Sequence, residues 1–172
     1  LMHTNQLEGT IPTEIGQLTE LTELDVGINE LTGTVPKELG ELTALSYLFV
    51  FSNKLNGTIP IELSRLTGLG ELWLYDNDLT GTIPSELVKM SALASLALLE
   101  NALTGTLPTQ LGQLTMLTDL VLSNNNLNGT VPTELGQLTS LLGLYLGENA
   151  LTGTLPTELG QLSSLQEFQA NG

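Results

Sequence analysis

The chain has 172 residues, 19 acidic and 4 basic side chains, a formal net charge of -15, no cysteine and one histidine. So acidic a surface repels phosphate backbones and anionic headgroups, which argues against nucleic acid and membrane as partners. Without cysteine there is no disulfide framework, thiolate nucleophile or thiolate-held metal, and His3 alone cannot supply a histidine metal site or a catalytic triad.

Proline occurs seven times, at 12, 36, 60, 84, 108, 132 and 156, always 24 residues apart. A fixed period of this length marks a repeat architecture. In chain order, the first complete unit opens on a strand, where Leu24 and Val26 alternate with polar Glu23 and Asp25. That period of two is the pattern of a half-buried strand, and one strand per coil predicts a stacked parallel sheet. Asn29 ends the strand and heads an asparagine column at 5, 29, 53, 77, 101, 125 and 149. A buried amide must be satisfied, so these side chains are expected to bond the backbone of neighbouring coils. Next comes a leucine column through Leu31, then the Gly33 and Thr34 columns, where glycine allows a tight turn or a close backbone approach. Pro36 pre-sets φ, and Glu38 falls in the first turn of a short segment expected to be 3₁₀ or a single α turn. Glu14, Glu62, Glu86, Glu134 and Glu158 repeat that placement, with Gln110 as the exception. The array begins and ends within a coil and carries no polar cap at either end, so it reads as one continuous array of about seven coils over residues 1–172. It is expected to be a block of a longer chain, with end-to-end self-association through the uncapped coils as a corollary.

The unit L-x-x-L-x-L-x-x-N-x-L-T-G-T-I-P-x-E-L-G-x-L, repeated in register, resembles the plant-type leucine-rich repeat. That family includes plant receptor-kinase ectodomains, polygalacturonase-inhibiting proteins and algal and protist arrays. The resemblance implies an α/β repeat, a right-handed solenoid with a parallel β-sheet on its concave face. It also implies short 3₁₀ or α turns on the convex side and a second short strand around L-T-G-T-I-P. It further implies recognition on the concave face and a place outside the cell or at its surface. The chain departs from the plant pattern in lacking paired-cysteine caps and a kinase segment. The near-identity of its coils is more like expanded algal or bacterial arrays.

In the strand template the columns of residues 23, 25 and 27 point outward, with 28 at the strand exit. Six of the seven aromatics stand there: Tyr47, Phe49, Phe51, Trp73, Tyr75 and Tyr145, while Phe168 occupies a core column. Leu99 and Val121 continue the patch, Glu71 and Asp76 rim it, and no lysine or arginine enters these columns. Aromatics suit strands, but strand preference does not explain why they face water. An apolar cluster with a polar rim marks an interaction site, and Trp and Tyr dominate binding hot spots. The expected partner is a protein, a basic peptide or a carbohydrate.

A second regularity competes. Thr32/Thr34, Thr80/Thr82, Thr104/Thr106 and Thr152/Thr154 form T-x-T pairs, with Thr58 and Thr130 completing near matches behind Asn56 and Asn128. Coils about 4.7 Å apart would array these hydroxyls and methyls regularly. This resembles the surface of solenoid ice-binding proteins, although threonine is ordinary in this slot of the repeat. Asn56-Gly57-Thr58 and Asn128-Gly129-Thr130 are also glycosylation sequons, relevant only to a secreted chain. The outer glutamates are solvated helix-start charges rather than a chelating loop. Asp76 and Glu100 have no accompanying nucleophile or orienting partner, so the chain reads as a non-enzyme that needs no cofactor or metal. A purely structural or adhesive spacer is the third reading.

Overall fold

Seven three-residue strands pair in strict succession into one parallel sheet: Glu23–Asp25, Tyr47–Phe49, Glu71–Trp73, Ser95–Ala97, Asp119–Val121, Gly143–Tyr145 and Glu167–Gln169. Each strand meets its neighbour at the equivalent position, as in Phe49 opposite Trp73 and Trp73 opposite Ala97. These contacts come from a computed structural model, which describes residues 5–172; His3 and Thr4, assigned above to the outward columns, lie outside the described residues. Interstrand bonding runs on past the strand ends, for example from Ile28 N–H to the Phe51 carbonyl and from Asn29 N–H to the Ser52 carbonyl, at 3.0 and 3.2 Å.

The second short strand of each coil builds the flank of the solenoid. Glu8–Thr10, Glu30–Thr34, Lys54–Thr58 and Asp78–Thr80 form a four-stranded parallel sheet, and Thr104–Thr106, Asn126–Gly129 and Ala150–Leu151 a three-stranded one. Two backbone bonds bridge the division, Ala102 N–H to Leu79 O at 2.8 Å and Thr104 N–H to Gly81 O at 2.7 Å. The convex side is a row of five-residue 3₁₀ helices, from Thr13–Gln17 to Thr157–Gln161, each entered through the repeat proline in an extended conformation. Proline ends the flank strand because it has no N–H to give, and its fixed φ starts the helix. All the expected glutamates fall in first turns, where the helix dipole favours negative charge.

Leucine fills the interior. Leu48, Leu72, Leu96, Leu120 and Leu144, one from each central strand, are fully buried, as are Leu55, Leu79, Leu103 and Leu127 from the leucine column. Phe168 holds its core-column place, in register with buried Leu144. It is 39% exposed on the edge strand of the sheet.

The asparagine column does what a buried amide must. Asn101 Nδ2 donates to Leu98 O and Leu99 O in its own coil and to Leu74 O in the preceding one, at 3.1–3.2 Å, while its Oδ1 accepts Leu79 N–H at 2.9 Å. Asn53, Asn77, Asn125 and Asn149 repeat the pattern. Each amide therefore ties three backbone carbonyls and one N–H of two adjacent coils. No buried side-chain nitrogen or oxygen among the described residues lacks a partner.

The glycine columns separate into two jobs. Gly33 and its equivalents have φ between 76° and 87°, the left-handed region open to glycine, and from Gly33 to Gly153 the γ-methyl of the preceding coil's threonine rests against them. A second set, Gly16, Gly40, Gly112 and Gly136, lies in the 3₁₀ helices. A Cβ on Gly112 would stand 2.2 Å from the Glu134 carbonyl oxygen, so the backbones of neighbouring helices nearly touch.

Candidate functional site

Two ladders of rings rise from the concave sheet. Alternation along a strand sends residues of the 25 and 27 columns to the same face, and in-register pairing places each beside its equivalent in the next coil. Phe49 stacks on Trp73 at 4.2 Å between centroids and 21° between planes, and Phe51 stacks on Tyr75 at 4.6 Å and 14°. Edge contacts join the ladders, with Phe51 and Trp73 at 6.0 Å and 62°, and Tyr47 adds a tilted contact to Phe49 at 6.0 Å. Phe51 also lies over Gly27, where a Cβ would come within 2.7 Å of its ring. These five rings form one patch, half-buried apart from exposed Tyr47.

The ladders stop where the next coil offers Ala97 and Leu99. Beyond them the sheet forms a concavity of about 760 Å³, walled by Trp73 and Tyr75 on one side and Tyr145 on the other, with Ala97 and Val121 on its floor. One face of the Trp73 indole is covered by Phe49, and the other looks across Ala97 into this groove. Its Nε1 donates to Ser95 Oγ at 3.1 Å, which fixes the ring plane and leaves the groove with the π face rather than the N–H. Tyr145 is not joined to the patch. It leans back over Gly143 of its own strand, and its hydroxyl donates to Glu167 Oε2 at 2.6 Å.

Glu71 and Asp119 line the groove, while Asp76 and Glu100 stand exposed at the strand exits. Asp76 belongs to a run in which six successive exits, Ile28, Ser52, Asp76, Glu100, Asn124 and Glu148, take φ between 48° and 54°. The cations are elsewhere. Lys54 pairs with Glu30 on the flank at 2.5 Å, Arg65 pairs with Glu41, and Lys37 and Lys89 sit in the convex helices. The negative field over the sheet is therefore uncompensated within the coils. Burial raises the Tyr75 phenol above the ordinary tyrosine range, and Asp76 and Asp25 add to it. The bond to Glu167 raises Tyr145 likewise. Among the described residues no group of His, Asp or Glu could hold a metal, and no helix is long and apolar enough to cross a membrane.

The structure thus brings together Tyr47, Phe49, Phe51, Trp73 and Tyr75. It sets Leu99, Val121, Glu71 and Tyr145 around the adjoining groove and leaves Asp76 at its edge. Sequence columns did not single out Ser95, Ala97 or Asp119. The signal was there: a small residue directly following a stacked aromatic column leaves a ring face open.

On the flank, the first threonine of each pair commits its hydroxyl to the array. Thr32, Thr80, Thr104 and Thr152 donate to the carbonyls of Gly9, Gly57, Gly81 and Gly129 in the preceding coil at 3.2–3.3 Å. The second member, as in Thr34, Thr58, Thr82, Thr106 and Thr130, packs its methyl on the next coil's glycine, Cγ2 lying 2.8–3.0 Å from where a Cβ would stand. These contacts hold one coil to the next. Thr154 is exposed and, like Thr82 and Thr130, lies just beyond its flank strand.

The model of the Leucine Rich Repeat family matches residues 68–90 and 116–138. A chain of the BIR3–SERK2 complex from Arabidopsis thaliana is 35% identical over 77% of this chain and 70% of its own length, with a TM-score of 0.69. The chain belongs to the leucine-rich repeat family. Larger members superpose more closely on this leucine-rich repeat array. The ectodomain of the membrane receptor kinase GASSHO1/SCHENGEN3 from Arabidopsis thaliana, solved with CASPARIAN STRIP INTEGRITY FACTOR 2, is 41% identical with a TM-score of 0.96, over 98% of this chain and 20% of that one. The Arabidopsis receptor kinase HAESA, solved with the peptide hormone IDA and the co-receptor SERK1, is 36% identical with a TM-score of 0.94, over 98% of this chain and 29% of that one. This leucine-rich repeat array therefore spans less than a third of the length of these two chains. No curated protein matches it. The repeats are of the plant type, and the parallel sheet and short 3₁₀ turns are those of the leucine-rich-repeat solenoid.

Proposed function

We propose that the chain is a non-enzymatic recognition module that binds a segment of a protein or peptide on its concave sheet, outside the cell or at its surface. The observation that carries this reading is the open face of Trp73, held by Phe49 and Ser95 beside a groove with no cation in its lining. A fixed ring face loses little conformational freedom on binding, and an aromatic anchor next to a desolvated floor is the composition of a hot spot. Two similar receptor ectodomains were solved with a peptide hormone or a named factor bound, which supports a peptide rather than a small molecule.

The test is selection from a displayed random-peptide library on the intact chain, repeated on the Trp73→Ala/Phe49→Ala variant. Circular dichroism first establishes that the variant keeps its sheet signal. Peptides captured by the unmodified chain and lost on the variant support the reading. Peptides retained by both overturn it. Failure of selection, together with Trp73-dependent capture on a glycan array, would replace the peptide by a carbohydrate.

A further inference from the structure

We infer that the groove takes a peptide in the polyproline-II conformation carrying a lysine or arginine at every third residue; this deepens, and rests on, the concave-face reading. The site is the groove beside Trp73, and the spacing of its carboxylates selects the occupant. Glu23, Glu71, Asp119 and Glu167 occupy the first strand position of alternate coils, while Tyr47, Ser95 and Gly143 occupy it between them. Paired strands lie about 4.7–4.9 Å apart, so these acids recur roughly every 9.4–9.8 Å along the sheet.

Few backbones keep step with that interval. A β-strand shows one face every two residues, about 6.6–6.8 Å, which matches neither one coil nor two. An α-helix repeats a face every seven residues, about 10.5 Å, and drifts by roughly 1 Å at each step. Polyproline II has three residues per turn and rises about 3.1 Å per residue, so one face recurs about every 9.3 Å. A cation on that face meets Glu71 and the next meets Asp119, both in the groove lining, while a third reaches Glu167 in the last strand, which already accepts the Tyr145 hydroxyl.

The lane beside the acids suits the other two faces of such a helix. Trp73 offers a free indole face, and Ala97 and Val121 leave room beyond it for apolar rings. The same indole can accept a cation or its alkyl stem. Among the described residues Glu71 makes no ion pair, while Lys54 and Arg65 are engaged by Glu30 and Glu41.

Trp73 is the one tryptophan of the chain, so its fluorescence reports occupancy of the groove directly. Two synthetic proline-background peptides of equal lysine number are titrated at low salt, one with lysine at every third residue and one at every second. The third-residue peptide is expected to bind about tenfold more tightly, the sum of a few partly exposed ion pairs. The Glu71→Gln/Asp119→Asn variant should abolish the preference with an unchanged circular dichroism spectrum. Equal affinity for the two peptides, or a preference that survives the double variant, overturns the spacing rule. Peptides selected by display that depend on Trp73 but lack third-residue cations also overturn it, while leaving the concave-face reading in place. Loss of Trp73 dependence altogether removes both.

Discussion

Phe49 and Trp73 stack at 4.2 Å across the join of two successive coils, and this pair defines where the aromatic surface ends and the groove begins. The contact is half exposed, so it stabilises the fold only modestly. A double-mutant cycle of Phe49→Ala and Trp73→Ala should give a coupling of about 0.5–1.5 kcal/mol in urea denaturation. Coupling near zero would mean that the rings are held independently, and Phe49 would then not be what orients the indole.

Asn101 is expected to matter far more than its size suggests. Asn101→Ala leaves the buried Leu79 N–H without a partner, while Leu74 O, Leu98 O and Leu99 O keep Asn77, Asn125 and the Asp76 N–H. An unsatisfied buried group costs about 1–3 kcal/mol, which sets the expected loss. Stability in a solenoid is a sum of coils and interfaces, so hydrogen exchange should rise first in the two coils flanking residue 101. Asn29→Ala should cost less, because the Leu7 N–H that Asn29 accepts is exposed.

Most of this framework is legible in the sequence, because a period of 24 forces equivalent residues into equivalent places. The asparagine ladder, the proline-led 3₁₀ turns and the outward aromatic columns follow from column chemistry alone. What is not legible is what depends on distance. Two glycine columns look alike in sequence, yet Gly33 is held by its φ and Gly112 by the approach of a neighbouring backbone. Tyr145 shares a column with Phe49 and Trp73, but Ala97 and Val121 separate it from the rings. The Thr ladder looks like a free array of hydroxyls until Thr104 is seen to donate to Gly81.

Ile28 is a case where the coil geometry overrides residue preference. Its φ is 52°, and a β-branched side chain is poorly suited to the left-handed region. Asn124 holds the equivalent place with a residue that tolerates it. Ile28→Asn should therefore stabilise the chain by about 1 kcal/mol, less whatever its half-buried side chain contributes. Thermal denaturation should show a higher midpoint, and a lower one would mean that Ile28 packing outweighs the backbone strain.

The glycines of the convex helices provide a comparison with an internal control. Gly112→Ala places a methyl 2.2 Å from the Glu134 carbonyl oxygen and 2.7 Å from its carbon, and both are backbone atoms that cannot swing aside. Relief requires the two coils to separate on the convex side, which loosens Leu111 and Leu135 in the core between them. Overpacking of this kind costs about 1–3 kcal/mol. At Gly160 the same added Cβ meets nothing within 4 Å. Gly160→Ala should be neutral or slightly stabilising, since alanine reduces the freedom of the unfolded chain. Urea midpoints of the two variants separate the explanations. If they fall equally, glycine at this place is needed for its own backbone conformation. If only Gly112→Ala falls, the requirement comes from the neighbouring coil, and the spacing of the concave groove is set in part by glycines on the opposite side of the solenoid.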